Sequence, residues 1–323
     1  MRRSVTLIFM LLLASAVGGF FLSGCSTGTS DDAETAVFGV PGVESSGLYR
    51  FERVWGAQGD QPGQFSMPQG IYADNDHVYV AEYGNNRVQK FDSEGNFITQ
   101  WGADKYNPGD FLGPTDITGD AQGYLYVLDM RSVQKFDSDG NFIAQWALHQ
   151  LDNAMGLAVD SDGIIQVTEN SANCIRKIDQ SGQFVGTWGF EGSGEGQFNR
   201  PYGIAFGGDN VLFVTDFMND RIQKYDNDGN YLGQQWGSIG SSQGQFLRPM
   251  GLNFHPSGLL CVADYGNHRI QVFDENGLFI DSFGSEGNGN GQFYGPKSVC
   301  FNPAGDIFVA DTINNRVQKF VRN

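Results

Sequence analysis

NNRVQKF stands at residues 85–91 and again at 314–320, three residues before the chain ends. A phrase of this length recurring in a chain of 323 residues marks an internal repeat, and working outward from it gives the period. The copies start 17 and 18 residues after a P-x-G phrase or its remnant, which recurs at Pro68, Pro114, Ala154, Pro201, Pro249 and Pro296, with spacings of 46, 40, 47, 48 and 47 residues. One unit reads G-Q-F-x-x-P-x-G-I-x-F, a turn, V-x-V-A-D-x-x-N-x-R-I-Q-K-F-D-x-x-G-N-F-x-x-x-W-G. Its four short apolar runs, separated by Asp, Gly and Asn, predict a four-stranded antiparallel sheet.

The tryptophans confirm the count. Trp55, Trp101, Trp146, Trp188 and Trp236 fall at one phase of the repeat and Phe283 takes the sixth place. Trp55, however, precedes the first P-x-G phrase, whereas the last unit stops at the end of its third strand. The stretch YRFERVW at 49–55 is therefore expected to supply the fourth strand of the final sheet, closing a ring and hiding the edges that a linear array would expose.

The D-x-x-N-x-R-[IV]-Q phrase resembles the NHL repeat. It is carried by Asp216, Asn219 and Arg221, by Asp264, Asn267 and Arg269, by Asp311, Asn314 and Arg316, and by Glu82, Asn85 and Arg87 with Glu replacing Asp. The resemblance implies an all-β, six-bladed β-propeller over residues 48–323. Because the feature recurs around a ring, the acid and Arg read as a clamp on the turn between the second and third strands. If exposed, each pair contributes only about 0–1 kcal/mol. The second hairpin turn, as in DSEGN from Asp92 or DNDGN from Asp226, is turn chemistry rather than a calcium loop. The tryptophans read as core.

The first residues carry a targeting signal. Arg2 and Arg3 precede an uncharged apolar stretch from Val5 to Phe21, followed by Leu22-Ser23-Gly24-Cys25, which resembles a bacterial lipobox. That resemblance implies a signal peptide over 1–24, cleavage before Cys25, lipidation of Cys25, and a flexible tether over 25–47. An uncleaved signal anchor is the other reading, since the apolar stretch is close to the ~20 residues that span a bilayer. The protein is thus expected outside the bacterial cytoplasm and lipid-anchored to a membrane, with Ser26 favouring the outer one of two. Of the other cysteines, Cys174, Cys261 and Cys300, free buried thiols fit their apolar surroundings better than a Cys261–Cys300 bridge.

Net charge of −17 leaves no basic field for a phosphate backbone, so nucleic acid is not an expected partner. Where function breaks a structural symmetry, the repeat should break too. Blade two replaces the signature with LDMRSVQKF, and blade three lacks G-Q-F-x-x-P and puts Cys174 where Arg stands elsewhere. A recognition face is expected there, with Asp129, Arg131, Asp152, Asn153, Glu169 and Asn173 as candidates; repeat decay is the competing reading.

Enzyme classes find little support. Related propellers with lyase activity hold zinc through His placed after the Pro of P-x-G, but that column reads Gln69, Thr115, Met155, Tyr202, Met250 and Lys297. The four His are scattered and read as lone surface residues. Lactonase-like propellers hold calcium in the central channel, where Asp116, Asp152, Asn153 and Asn253 are available without a diagnostic spacing. No Ser stands in a nucleophile elbow. The expected function is a noncatalytic, membrane-anchored, monomeric propeller that needs no cofactor and binds a protein, peptide or glycan at the cell surface. The alternative is a calcium-dependent hydrolase or lactonase.

Overall fold

The computed structural model describes residues 47–103, 107–147, 150–151 and 153–323, so the lipobox, Cys25, His149 and Asp152 lie outside the described residues. Those described form six sheets of four antiparallel strands. We number the blades I to VI in chain order. Their innermost strands are Pro68–Ala73, Asp116–Gly119, Ala154–Val159, Pro201–Phe206, Pro249–Phe254 and Pro296–Phe301, and each touches the next, the last returning to the first. The ring surrounds a channel.

The ring closes as the misplaced Trp55 requires. The strand Tyr49–Trp55 pairs antiparallel with Arg316–Arg322, the strand containing the second NNRVQKF, with Phe51 opposite Phe320 and Trp55 opposite Val317. Residues from the two ends of the chain thereby complete blade VI, and Asn323 donates its backbone N–H to Leu48 at 2.9 Å.

Most of the core lies between blades. One buried cluster joins Phe65, Ile71, Val80 and Phe91 of blade I to Cys300, Phe308, Ala310 and Val317 of blade VI. Phe65, Phe111, Phe198, Phe246 and Phe293, three residues before each P-x-G phrase, are fully buried. Blade III lacks the motif but not the anchor, because Leu151 stands three residues before Ala154 and fills the Phe place. The tryptophans differ from expectation: most are only half-buried, lying at blade seams instead of inside sheets. Trp55 covers the turn glycine Gly95 of the following blade so closely that a Cβ there would sit 2.6 Å from the indole, and Trp101 does the same to Gly140 at 2.5 Å. Cys174, Cys261 and Cys300 are buried free thiols.

The signature residues form the expected clamp, but it is buried, which corrects the estimate for an exposed pair. Glu82, Asp216, Asp264 and Asp311 are wholly inaccessible. In blade IV, Arg221 Nε donates to Asp216 at 2.9 Å, Nη1 to Ser193 O and Gln235 Oε1, and Nη2 to Gly194 O and Gln197 O. Asn219 ties Asp216 to Gly192 O, and the Asn199 backbone N–H donates to Asp216. Glu82 with Asn85 and Arg87, Asp264 with Asn267 and Arg269, and Asp311 with Asn314 and Arg316 repeat the arrangement. One guanidinium thus fixes the long loop that enters its own blade. Burial pushes the Asp216 and Asp264 carboxyls above their ordinary range despite the facing Arg.

The residue after the signature Asn links neighbouring blades. Asn86, Asn173, Asp220, His268 and Asn315 all have positive φ, and each side chain accepts a backbone N–H from the next blade's entry loop at 2.7–3.0 Å.

Candidate functional site at the channel mouth

Where first and second strands meet, Pro68 pairs with Glu82, Pro201 with Asp216, Pro249 with Asp264 and Pro296 with Asp311. Just beyond, a residue of the entry loop accepts a backbone hydrogen bond from the loop after the signature acid. Tyr83 thus joins Met67, Met130 joins Leu112, Asn170 joins Asn153, Met218 joins Asn199, Gly266 joins Leu247, and Ile313 joins Tyr294. These pairs ring one end of the channel. Met67, Met130, Met218, Tyr294 and Ile313 are each more than 40% exposed, giving the mouth an apolar collar that Arg200 and Arg248, exposed in the Met67 place of blades IV and V, interrupt. Tyr83 reaches Met130 Sδ at 3.7 Å, and His268 stacks on Tyr294 at 5.0 Å. Blade III interrupts the collar with Asn153 and Asn170, joined at 3.2 Å.

Behind the collar lies the layer formed by the residue after each Pro: Gln69, Thr115, Met155, Tyr202, Met250 and Lys297. All but Met250 line the channel cavity of about 270 Å³. Tyr202 OH donates to Gln69 Oε1 at 3.3 Å. Blades I and IV are opposite, so this bond spans the channel. Tyr202 also meets Phe217, the neighbour of Met218, ring to ring at 6.1 Å. Lys297 lies on blade VI, beside Gln69 of blade I. Among the described residues its ammonium makes no hydrogen bond or ion pair, and burial lowers its pKa to about 8. The Gln69 amide nitrogen is likewise without a partner, though the residue is 95% buried by its 5% exposure.

One residue deeper, glycine is required where inner strands converge. A Cβ on Gly203 would lie 2.5 Å from Met250 O, and one on Gly251 2.6 Å from Lys297 O. Blade II places Asp116 at this level instead. Its carboxylate accepts from the backbone of Leu157 at 3.0 Å and of Ile117 at 2.9 Å, yet burial raises its pKa to about 7.

The expected recognition residues on blades II and III occupy other roles. Asp129 and Glu169 are wholly buried and Arg131 is 7% exposed, so they offer no surface to a partner. Asp129 accepts from the backbone of Arg131 and Ser132 and from Leu112 N. Blade III loses its signature Arg to Cys174 but recovers the acid–Arg pair two residues along the same strand face, where Arg176 Nε donates to Glu169. Asn173 accepts from Arg200 N, one of the links between blades. Of the candidates that are described, Asn153 reaches the mouth. The collar itself was missed because its residues fall at the unspecified positions of the repeat; its signal was the run of Tyr, Met, Phe and Ile just after the signature acids.

The channel is a poor match to calcium. Among the described residues Asp116 is the one carboxylate lining it, Asn253 adds an amide, and Lys297 brings an opposing charge, whereas calcium takes 6–8 oxygens. No three His, Cys, Asp or Glu converge among the described residues. His77 bonds Asp74, His268 joins the collar, and His255 is buried against Gly305 O, correcting its reading as a surface residue.

The family model described as NHL repeat matches residues 65–91, 246–273 and 293–320. Among curated proteins no sequence matches the chain. Solved structures share the fold at low identity. Virginiamycin B lyase from Staphylococcus aureus is 15% identical, with TM-score 0.58 over 84% of this chain and 99% of that one. A gluconolactonase from Xanthomonas campestris is 16% identical, with TM-score 0.61 over 81% and 88%. An auxiliary nutrient binding protein from Bacteroides thetaiotaomicron is 12% identical, with TM-score 0.61 over 80% and 69%.

Proposed function

Taking the chain as a six-bladed β-propeller carrying NHL repeats, we propose that it is a noncatalytic binding module, held at a membrane surface outside the cytoplasm through Cys25, whose channel mouth docks a peptide or an exposed segment of a protein. One observation carries this reading. The chain has seven Met. Met1 and Met10 belong to the leader, and Met67, Met130, Met155, Met218 and Met250 all lie in the collar or in the layer behind it. Methionine is flexible and polarizable, suited to surfaces that adapt to apolar side chains. What sets these side chains apart from the other exposed apolar residues is their grouping around one opening, the arrangement of a contact surface. The signature charges, by contrast, are fully engaged in holding loops and have nothing left for a ligand.

The test is selection of ligands from a displayed peptide library on the wild-type protein and on the triple variant Met67→Gln, Met130→Gln, Met218→Gln. These side chains are exposed, so the variant should keep the wild-type melting temperature and lose the selected peptides at least tenfold in affinity. Retention of binding by the triple variant would move the ligand elsewhere. Turnover of lactones or esters by the purified protein would replace the binding reading with a catalytic one.

A further inference from the structure

The centre of the mouth differs from its rim. Around it the collar is largely apolar, with Arg200 and Arg248 exposed in the Met67 place of two blades; at its base stand Lys297 and, on the neighbouring blade, Gln69, an ammonium and an amide nitrogen with no hydrogen bond or ion pair among the described residues. Lys297 is half-buried and neither nitrogen is sealed from solvent, so an entering anion would replace water on donors that the described protein groups leave open. Both donors face one channel, and Tyr202 holds Gln69 by its carbonyl oxygen, leaving the nitrogen turned to whatever enters.

We propose that the mouth captures the free C-terminal carboxylate of a peptide, with Lys297 supplying the charge and Gln69 a second donor, while the last apolar side chains of the peptide rest on the collar. This inference rests on the peptide-binding reading of the face and adds the group that the ligand must carry. An end-on chain suits the geometry: the Tyr202–Gln69 bond spans the channel at this depth and Lys297 stands beside it, while the exposed Arg200 and Arg248 lie out on the entry loops. A side-chain carboxylate would instead hold the main chain across the mouth. The protein's charge of −17 adds a preference for basic residues further back along the peptide.

Binding should depend on pH through the groups lining the channel. Lys297 loses its proton as pH rises past about 8, and Asp116 gains negative charge as pH passes about 7. Both changes weaken an anion's hold. Burial raises the pKa of Tyr202 and Tyr72, the latter to about 12, and holds the Cys300 thiol well above its ordinary value, so these stay neutral.

The experiment compares random hexapeptides bearing a free C-terminal carboxylate with the same peptides amidated, on the full chain and on Lys297→Met and Lys297→Gln. Free acids should bind at least tenfold tighter than amides at pH 6.5. That preference should fade by pH 9 and vanish in both variants, while the residual affinity for amides persists. Equal binding of acids and amides overturns the carboxylate inference and leaves the collar reading standing. Strong binding of amidated peptides only when they contain Asp or Glu overturns the end-on geometry. If neither set binds better than millimolar, both readings fall.

Discussion

Arg221 shows how the repeat spends its charges. Five donors of one guanidinium reach a buried carboxylate, a glutamine and three loop carbonyls. Arg221→Met removes the partner of a buried charge and should cost about 3–5 kcal/mol, read by chemical denaturation. Lys297 and Asp116 behave oppositely, since burial disfavours the charged form of each. The folded-state pKa of Lys297 lies below its ordinary value, so its cost is fully present below about pH 8 and is relieved as pH climbs toward 10.5. Lys297→Met should therefore stabilise the protein by ~1–3 kcal/mol at pH 7 and by little at pH 10.5. For Asp116 the folded-state pKa lies above the ordinary 3.8, so stability is intact below that value and falls as pH rises to about 7. Asp116→Asn should raise the melting temperature at pH 8 and leave it unchanged at pH 4. The sequence showed where these residues stand, but burial decides their chemistry, and burial of a charged residue between two turns has no signature in a single chain.

At the scale of strands and loops, NNRVQKF can be read residue by residue. Asn85 holds the entry loop, Asn86 the next blade, and Arg87 the clamp; Val88 and Phe91 are core, Gln89 donates to Gln64 O and accepts from Gly63, and Lys90 donates to Ser138 O of blade II. Its second copy does the same work across the join, where Asn315 accepts from Met67 N and Lys319 pairs with Glu94. A chain beginning at residue 56 would lack the closing strand and expose the edge of Arg316–Arg322. It should unfold with a broadened transition and self-associate, both visible by calorimetry and light scattering. Blade number, strand order and the closing strand were legible because turn residues and apolar runs repeat with a fixed period. The swapped acid–Arg pair of blade III was not, because Arg176 occupies a column that reads as Gln elsewhere, and only the alternation of a strand places it on the same face as Cys174.

For the molecule as a whole, folding and binding are divided between two sets of positions. Residues that repeat hold loops, turns and seams; residues that vary crown the channel. Breaks in the repeat on blades II and III suggested a recognition face, yet most of those breaks are repaired inside the fold and their charges are buried. The binding face proposed instead surrounds the whole mouth. The most direct test is methyl NMR of the full chain with labelled methionine, titrated with a hexapeptide selected for binding. Met67, Met130 and Met218 should shift with the ligand, with Met155 and Met250 responding behind them and Met1 and Met10 unmoved. Binding that leaves all five propeller methionines unshifted would contradict the account.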